Sequence, residues 1–217
     1  MTPNMLYSTA DLKNLDHKSR LKLINAVSGI KPANLIGSAS KDGNTNLAIF
    51  NSVFHLGSDP ALIGMIMRPV EEVPRHTYQN ILETGYYTIN HVHHSFIEKA
   101  HYTSAKVDAA ISEFDRCGLQ PEYVDGFPAP FVRESKVKMG MRFVQDLLIP
   151  QNQTRMIIGE IELLSLPEDA WIDNDIDLER TGAVGISGLN SYYQLTKIAR
   201  FPYARANEIP DFANEDV

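Results

Sequence analysis

A chain of 217 residues, 43% apolar and 22% charged, can bury a full core and reads as one domain over residues 1–217. Its formal net charge of −7 excludes a general affinity for nucleic acid, whose phosphates need a basic face, and no apolar run reaches the roughly 18 residues of a membrane helix. The single cysteine, Cys117, excludes an internal disulfide, and the N-terminus lacks the basic-then-apolar pattern of a secretory signal; both suit a cytoplasmic protein.

Residues 9–28 predict an N-terminal helix. Asp16 can cap a segment in which Leu21, Ile24 and Val27 recur at helical spacing, and Gly29 ahead of Pro32 stops it. Residues 33–67 predict an antiparallel meander, starting with an apolar run that ends at the turn Lys41-Asp42-Gly43-Asn44. An Asp-Gly pair between apolar runs signals a hairpin, because glycine tolerates the positive φ the turn needs. The second strand runs from Asn46 to Phe54, Gly57-Ser58-Asp59-Pro60 breaks it, and a third covers Leu62 to Met67. Asn46, Asn51 and Ser52 interrupt that otherwise buried second strand. Buried amides and hydroxyls need partners, which other backbone or a ligand must supply.

Residues 68–76 form a loop with two prolines and two arginines; Thr77 opens a short helix ended by Gly85, and Tyr86–Val92 is a strand. Ser95-Phe96-Ile97-Glu98 matches a capping box, which starts a helix at Phe96. A further helix covers Asp108–Cys117 and stops at Gly118, and Pro121–Pro130 is an irregular connection. Lys136–Ile149 and Arg155–Leu166 are long strands joined by a hairpin loop. Residues 167–181 are acidic and exposed, Gly182–Leu195 mixes glycine with Tyr192 and Tyr193, and the tail from Ala206 is polar enough to fray. About six antiparallel strands with inserted helices make a mainly β fold with its core over residues 30–200. That pattern suggests a closed or nearly closed barrel and also permits an open α+β sheet.

Catalytic signatures are missing: there is no Walker loop, no GxGxxG after a strand, no GxSxG and no HExxH. His91, His93, His94 and His101 lack the carboxylate spacing of a metal site and read as a polar loop and helix start. Cys117 reads as a small buried hydrophobe and Trp171 as a local anchor. The anion chemistry is more informative. Arg68, Arg75, His76 and Thr77 fall just before a short helix, whose N-terminal amides attract anions. The alternative is a loop solvated by its own charges, with Thr77 as an ordinary N-cap. Asn46, Asn51 and Ser52 lie just upstream, so one cluster could grip a phosphate while the other meets a polar ring edge.

These residues resemble the flavin reductase-like family. Leu47-Ala48-Ile49-Phe50-Asn51-Ser52-Val53-Phe54 is similar to its N-L-A-P-x-S-x-F strand, and Asp59-Pro60 to its D-P-P turn, with Ala61 in place of the second proline. Thr77 to Asn90 is similar to T-x-x-N-I-x-x-T-G-x-F-V-V-N. Glu113-Phe114 with Gly118-Leu119 resembles E-F-x-x-x-G-L, and Glu134-Ser135 resembles the E-S before the next long strand. The matches run in order from about residue 33 to about residue 195.

The resemblance implies an FMN-binding split β-barrel, antiparallel and Greek-key-like, in a homodimer with one FMN per subunit near the interface. It implies a flavin reductase that uses NADH or NADPH as co-substrate, serving a small-molecule acceptor or a monooxygenase partner. The alternative is a flavoredoxin-like electron carrier without its own NAD(P)H turnover. A third option is a barrel without FMN, as in pyridoxamine-phosphate oxidase or haem-handling relatives. Carried over by position, Asn46 and the backbone of Ile49, Phe50, Asn51 and Ser52 meet the isoalloxazine and ribityl chain. Ser52, Arg75, His76 and Thr77 hold the phosphate, with Arg68 as a further candidate. Tyr192, in a loose version of the family's G-G-x-x-Y stretch, lies near the ring or the partner subunit. No metal and no catalytic side chain are implied, because hydride transfer to flavin is the cofactor's own chemistry.

Overall fold

Seven strands form the main sheet of the computed structural model, which describes residues 2–71, 73–105, 108 and 111–212. They are β1 (Asn34–Ala39), β2 (Thr45–Phe50), β3 (Val53–Ser58), β4 (Ala61–Met67), β5 (Tyr86–His91), β6 (Lys138–Ile149) and β7 (Thr154–Ser165). Their order across the sheet is β2-β1-β5-β6-β7-β4-β3, and every pairing is antiparallel. β2 and β3 therefore sit at opposite ends of the sheet, yet only Asn51 and Ser52 join them. Three Cα–Cα steps span at most about 11 Å. Six inter-strand spacings in a flat sheet would need about 29 Å. The sheet must roll until its ends meet, which decides for the barrel over the open sheet. Ser52 extends the β3–β4 ladder by one rung up to the link: its carbonyl accepts from the Ile66 amide at 3.1 Å and its hydroxyl donates to the Ile66 carbonyl at 2.8 Å.

The single meander is thus two hairpins, β1–β2 and β3–β4, parted at Asn51-Ser52. The rolled sheet has two buried faces, because neighbouring residues on a strand point oppositely. Ile36, Met65, Tyr87, Met141 and Ile157 fill the barrel, joined by Ile81 from the helix α3 (His76–Thr84). Leu35 and Leu47 face outward into a second cluster with Phe96, Phe114, Val184 and Ile186.

Several local expectations change. The N-terminal helix is two, α1 (Thr9–Asn14) and α2 (His17–Val27), because the Asp16 carboxylate caps α2 by accepting from the Lys18 and Ser19 amides. Leu21, Ile24 and Val27 stay exposed, and α2 buries no residue. The Ser95–Glu98 box does not form. His93 Nδ1 instead accepts from the Ser95 amide and starts a 3₁₀ turn, His94–Phe96, ahead of α4 (Ile97–Tyr102). The helix expected over 108–117 is only α5 (Glu113–Cys117); residues 106, 107, 109 and 110 lie outside the described residues.

Trp171 opens a two-residue strand, Trp171–Ile172, and its side chain is largely exposed rather than an anchor. The acidic stretch also contains α6 (Leu178–Thr181). β8 (Val184–Ser187) and β9 (Ser191–Gln194) then pair beside the short strand Lys31–Pro32. Residues 206–212 of the tail are exposed, and 213–217 lie outside the described residues. No described helix is long and apolar enough to cross a membrane.

Candidate functional site

β4 ends at Met67, and the chain then passes Arg68 and two prolines to reach α3. Arg75 is the N-cap of α3 in extended conformation, and no side chain caps the helix. Its first-turn amides therefore keep their hydrogens available, with the positive end of the helix behind them. Arg75 Nε makes one contact, to the Pro69 carbonyl at 3.4 Å. Neither Arg68 nor Arg75 has an ion-pair partner among the described residues. Burial first, and the Arg68 charge second, hold the Arg75 guanidinium below its ordinary pKa. Two cations sharing a wall, neither of them ion-paired among the described residues, are what an anion would relieve.

Thr77 lies inside the first turn and is not the N-cap. Its hydroxyl accepts from Asn46 Nδ2 at 2.9 Å, and the same amide reaches Ser38 Oγ at 3.4 Å, where Asn80 Nδ2 also donates at 3.2 Å. This buried chain ties the mouth of α3 to β1 and β2. Asn51 Nδ2 donates to the Gly188 carbonyl at 2.8 Å, joining the β2–β3 link to the β8–β9 turn. Backbone carbonyls thus take the side-chain donors of Asn51 and Ser52.

Between these walls lies a cleft of about 570 Å³. Asn46, Ile49, Phe50, Asn51 and Ser52 face it from β2 and its link; Arg68, Arg75, His76 and Thr77 face it from the approach to α3. Tyr192 is elsewhere. It packs against the outer cluster, its hydroxyl lies 3.0 Å from His101 Nδ1, and burial pushes its phenol up to about 12. It lines a separate hollow with His94 and His101. His91 is partly buried, and desolvation lowers its pKa to about 4. No three His, Cys, Asp or Glu side chains meet as a metal site among the described residues. Cys117 is half-buried, and burial, then the Glu113 charge, raises its thiol.

Sequence reading missed part of the lining: Asn25, Val73, Pro74, Thr103 to Ala105, Glu113 and Leu189. Leu189 arrives through the Asn51–Gly188 bond, across 137 residues, and Glu113 through a bond to Leu47 across 66. Separations of that length leave no local pattern. The E-F motif could have flagged Glu113, but no spacing rule aims it at the cleft.

The family model described as "Flavin reductase like domain" matches residues 29–175. A Shewanella frigidimarina NCIMB 400 protein assigned as a flavin reductase with a split barrel domain is 47% identical. It superposes with a TM-score of 0.89, over 93% of this chain and 100% of that one. Nitrilotriacetate monooxygenase component B from Bacillus cereus is 18% identical with a TM-score of 0.81, covering 92% of this chain and 100% of its own. Flavoredoxin of Desulfovibrio vulgaris (Miyazaki F) is 20% identical with a TM-score of 0.70, covering 83% and 94%. The last two share the fold.

Proposed function

The chain belongs to the flavin reductase-like domain family, and from that premise we propose that its cleft holds FMN and that the protein is an NAD(P)H-dependent flavin reductase. The observation that carries this reading is the uncapped mouth of α3 with Arg68 and Arg75 beside it, neither ion-paired among the described residues, facing the barrel-closing strand across one cleft. The volume, about 570 Å³, suits a drug-sized ligand. Arg75, Arg68 and the first-turn amides neutralise a phosphate there. Ile49, Phe50 and Leu189 offer an apolar wall that excludes water from a planar ring. Asn46 and Asn51 act one step back: they hold the mouth of α3 and the β8–β9 turn in place. Bound there, FMN supplies the hydride-accepting chemistry, so this reading asks for no acid–base side chain at the ring.

The partner in this reading is a second copy of the chain. Val27 of α2 and Ile198, Phe201 and Tyr203 of the C-terminal segment are 73, 97, 82 and 87% exposed. Ile30, which follows α2, and Leu195, which precedes the C-terminal segment, both crowd over Gly185. Two rings so exposed present on the order of 300 Å². Ile198 and the face of α2 bring the patch toward the roughly 800 Å² per partner of a specific interface. Light scattering should give twice the 24.3 kDa chain mass.

The deciding experiment is the visible spectrum of the purified protein after FMN addition, followed by NADH and NADPH oxidation with free flavin. Flavin binding with turnover supports the reductase. Binding without turnover supports the flavoredoxin-like carrier instead, and no binding refutes the assignment of the cleft.

A further inference from the structure

The mouth of α3 explains the positive wall of the cleft but not the carboxylate that faces it. Glu113 opens α5, which is anchored by the fully buried Phe114 in the outer cluster and by a 2.7 Å hydrogen bond between Ser112 Oγ and Thr45 Oγ1. Glu113 is 6% exposed. Its Oε2 accepts the Leu47 amide at 3.0 Å, on the free edge of β2. That bond falls one residue along from Asn46, whose amide meets Thr77 in the first turn of α3. The carboxylate and the anion-binding turn thus meet β2 at successive residues. Among the described residues the Leu47 amide is the one hydrogen-bond donor to this carboxylate and no cation pairs with it, and the side chain lines the cleft. A carboxylate fixed at the wall of the cleft by its other oxygen is placed to accept a hydrogen bond from what the cleft holds.

We propose that Glu113 is a specificity-determining acceptor for a ligand hydroxyl, binding the polyol arm that joins a phosphate to a ring. A cationic group would be repelled by Arg68 and Arg75 in the same cleft, and a second anion by Glu113 itself. A neutral O–H donor next to a phosphate satisfies both walls at once. The inference rests on the reading of the cleft as an FMN site, where the ribityl chain supplies that hydroxyl.

The test is titration of flavin-stripped wild type and Glu113→Gln with FMN, riboflavin and lumiflavin, which lacks the hydroxylated arm, followed by flavin fluorescence. Glutamine can still accept from Leu47 but turns its NH₂ to the cleft. FMN and riboflavin should weaken about tenfold or more, the scale of losing a bond to a charged acceptor. Lumiflavin should hold within about twofold. An unchanged riboflavin-to-lumiflavin ratio in Glu113→Gln overturns the role of Glu113 and leaves the FMN site standing. Wild type that binds none of the three overturns the FMN site, and this proposal with it. Should Glu113→Gln not fold, the wild type alone decides: riboflavin bound no more tightly than lumiflavin refutes the hydroxyl contact.

Discussion

Replacing Arg75 with alanine removes one of the two cations at the mouth of α3, and among the described residues its side chain gives up one hydrogen bond, the 3.4 Å contact to the Pro69 carbonyl. A charge-assisted contact to phosphate contributes about 1.5–3 kcal/mol. Taking about 2 kcal/mol for a partly buried group, FMN affinity should fall about 30-fold. With FMN at 100 times the wild-type Kd, binding adds about 2.7 kcal/mol to stability. A 30-fold weaker complex at the same concentration adds only about 0.9 kcal/mol. At about 2–4 °C per kcal/mol for a chain of this size, the FMN-induced rise in Tm should shrink by about 4–8 °C. Riboflavin, without the phosphate, should raise Tm equally in both proteins. The ligand-free variant should melt no lower than wild type, because it loses a like-charge neighbour of Arg68. Differential scanning fluorimetry with the two flavins reads all of this. An unchanged FMN shift, or an equal loss for riboflavin, would refute the phosphate role.

Asn51→Ala frees the Gly188 carbonyl and should cost about 1–2 kcal/mol of stability, while Asn51→Asp should be worse because a carboxylate cannot donate to that carbonyl; urea midpoints give the ranking. Tyr87→Phe deletes a buried hydroxyl without a partner and should raise stability by up to about 1 kcal/mol. A Cβ at Gly159 would meet that hydroxyl at 2.3 Å, so Gly159→Ala should cost less in the Tyr87→Phe background, as a double-mutant cycle will report. Unfolded histidine takes a proton below about pH 6.5, whereas folded His91 waits until about 4. Stability present above pH 6.5 should therefore be lost as pH falls toward 4, by at most about 1.4 kcal/mol per unit. His91→Gln should flatten that slope in denaturant titrations across the window.

Local signals were legible where the cause is local. The Lys41–Asn44 turn, the Gly85 and Gly118 helix stops with their left-handed backbone, and the Asp16 cap need only neighbouring residues. Arg68, Arg75, His76 and Thr77 share a cleft because ten consecutive residues carry them. The capping box at Ser95 failed for the opposite reason. Its residues allow a cap, but His93, fixed by its bridge to Ala183 and the strand before it, takes the Ser95 amide first.

The sequence by itself determined most of the strands, the arginine-bearing approach to α3 and the family they resemble, since period, turn chemistry and ordered motifs are written along the chain. Only the tertiary structure decided that β2 and β3 close a barrel through Asn51 and Ser52. Other long-range contacts place Tyr192 outside the cleft, at His101, and Glu113 inside it, at Leu47. Those outcomes depend on pairings between residues tens of positions apart, and the free energy of such contacts belongs to the rolled sheet rather than to any stretch of it.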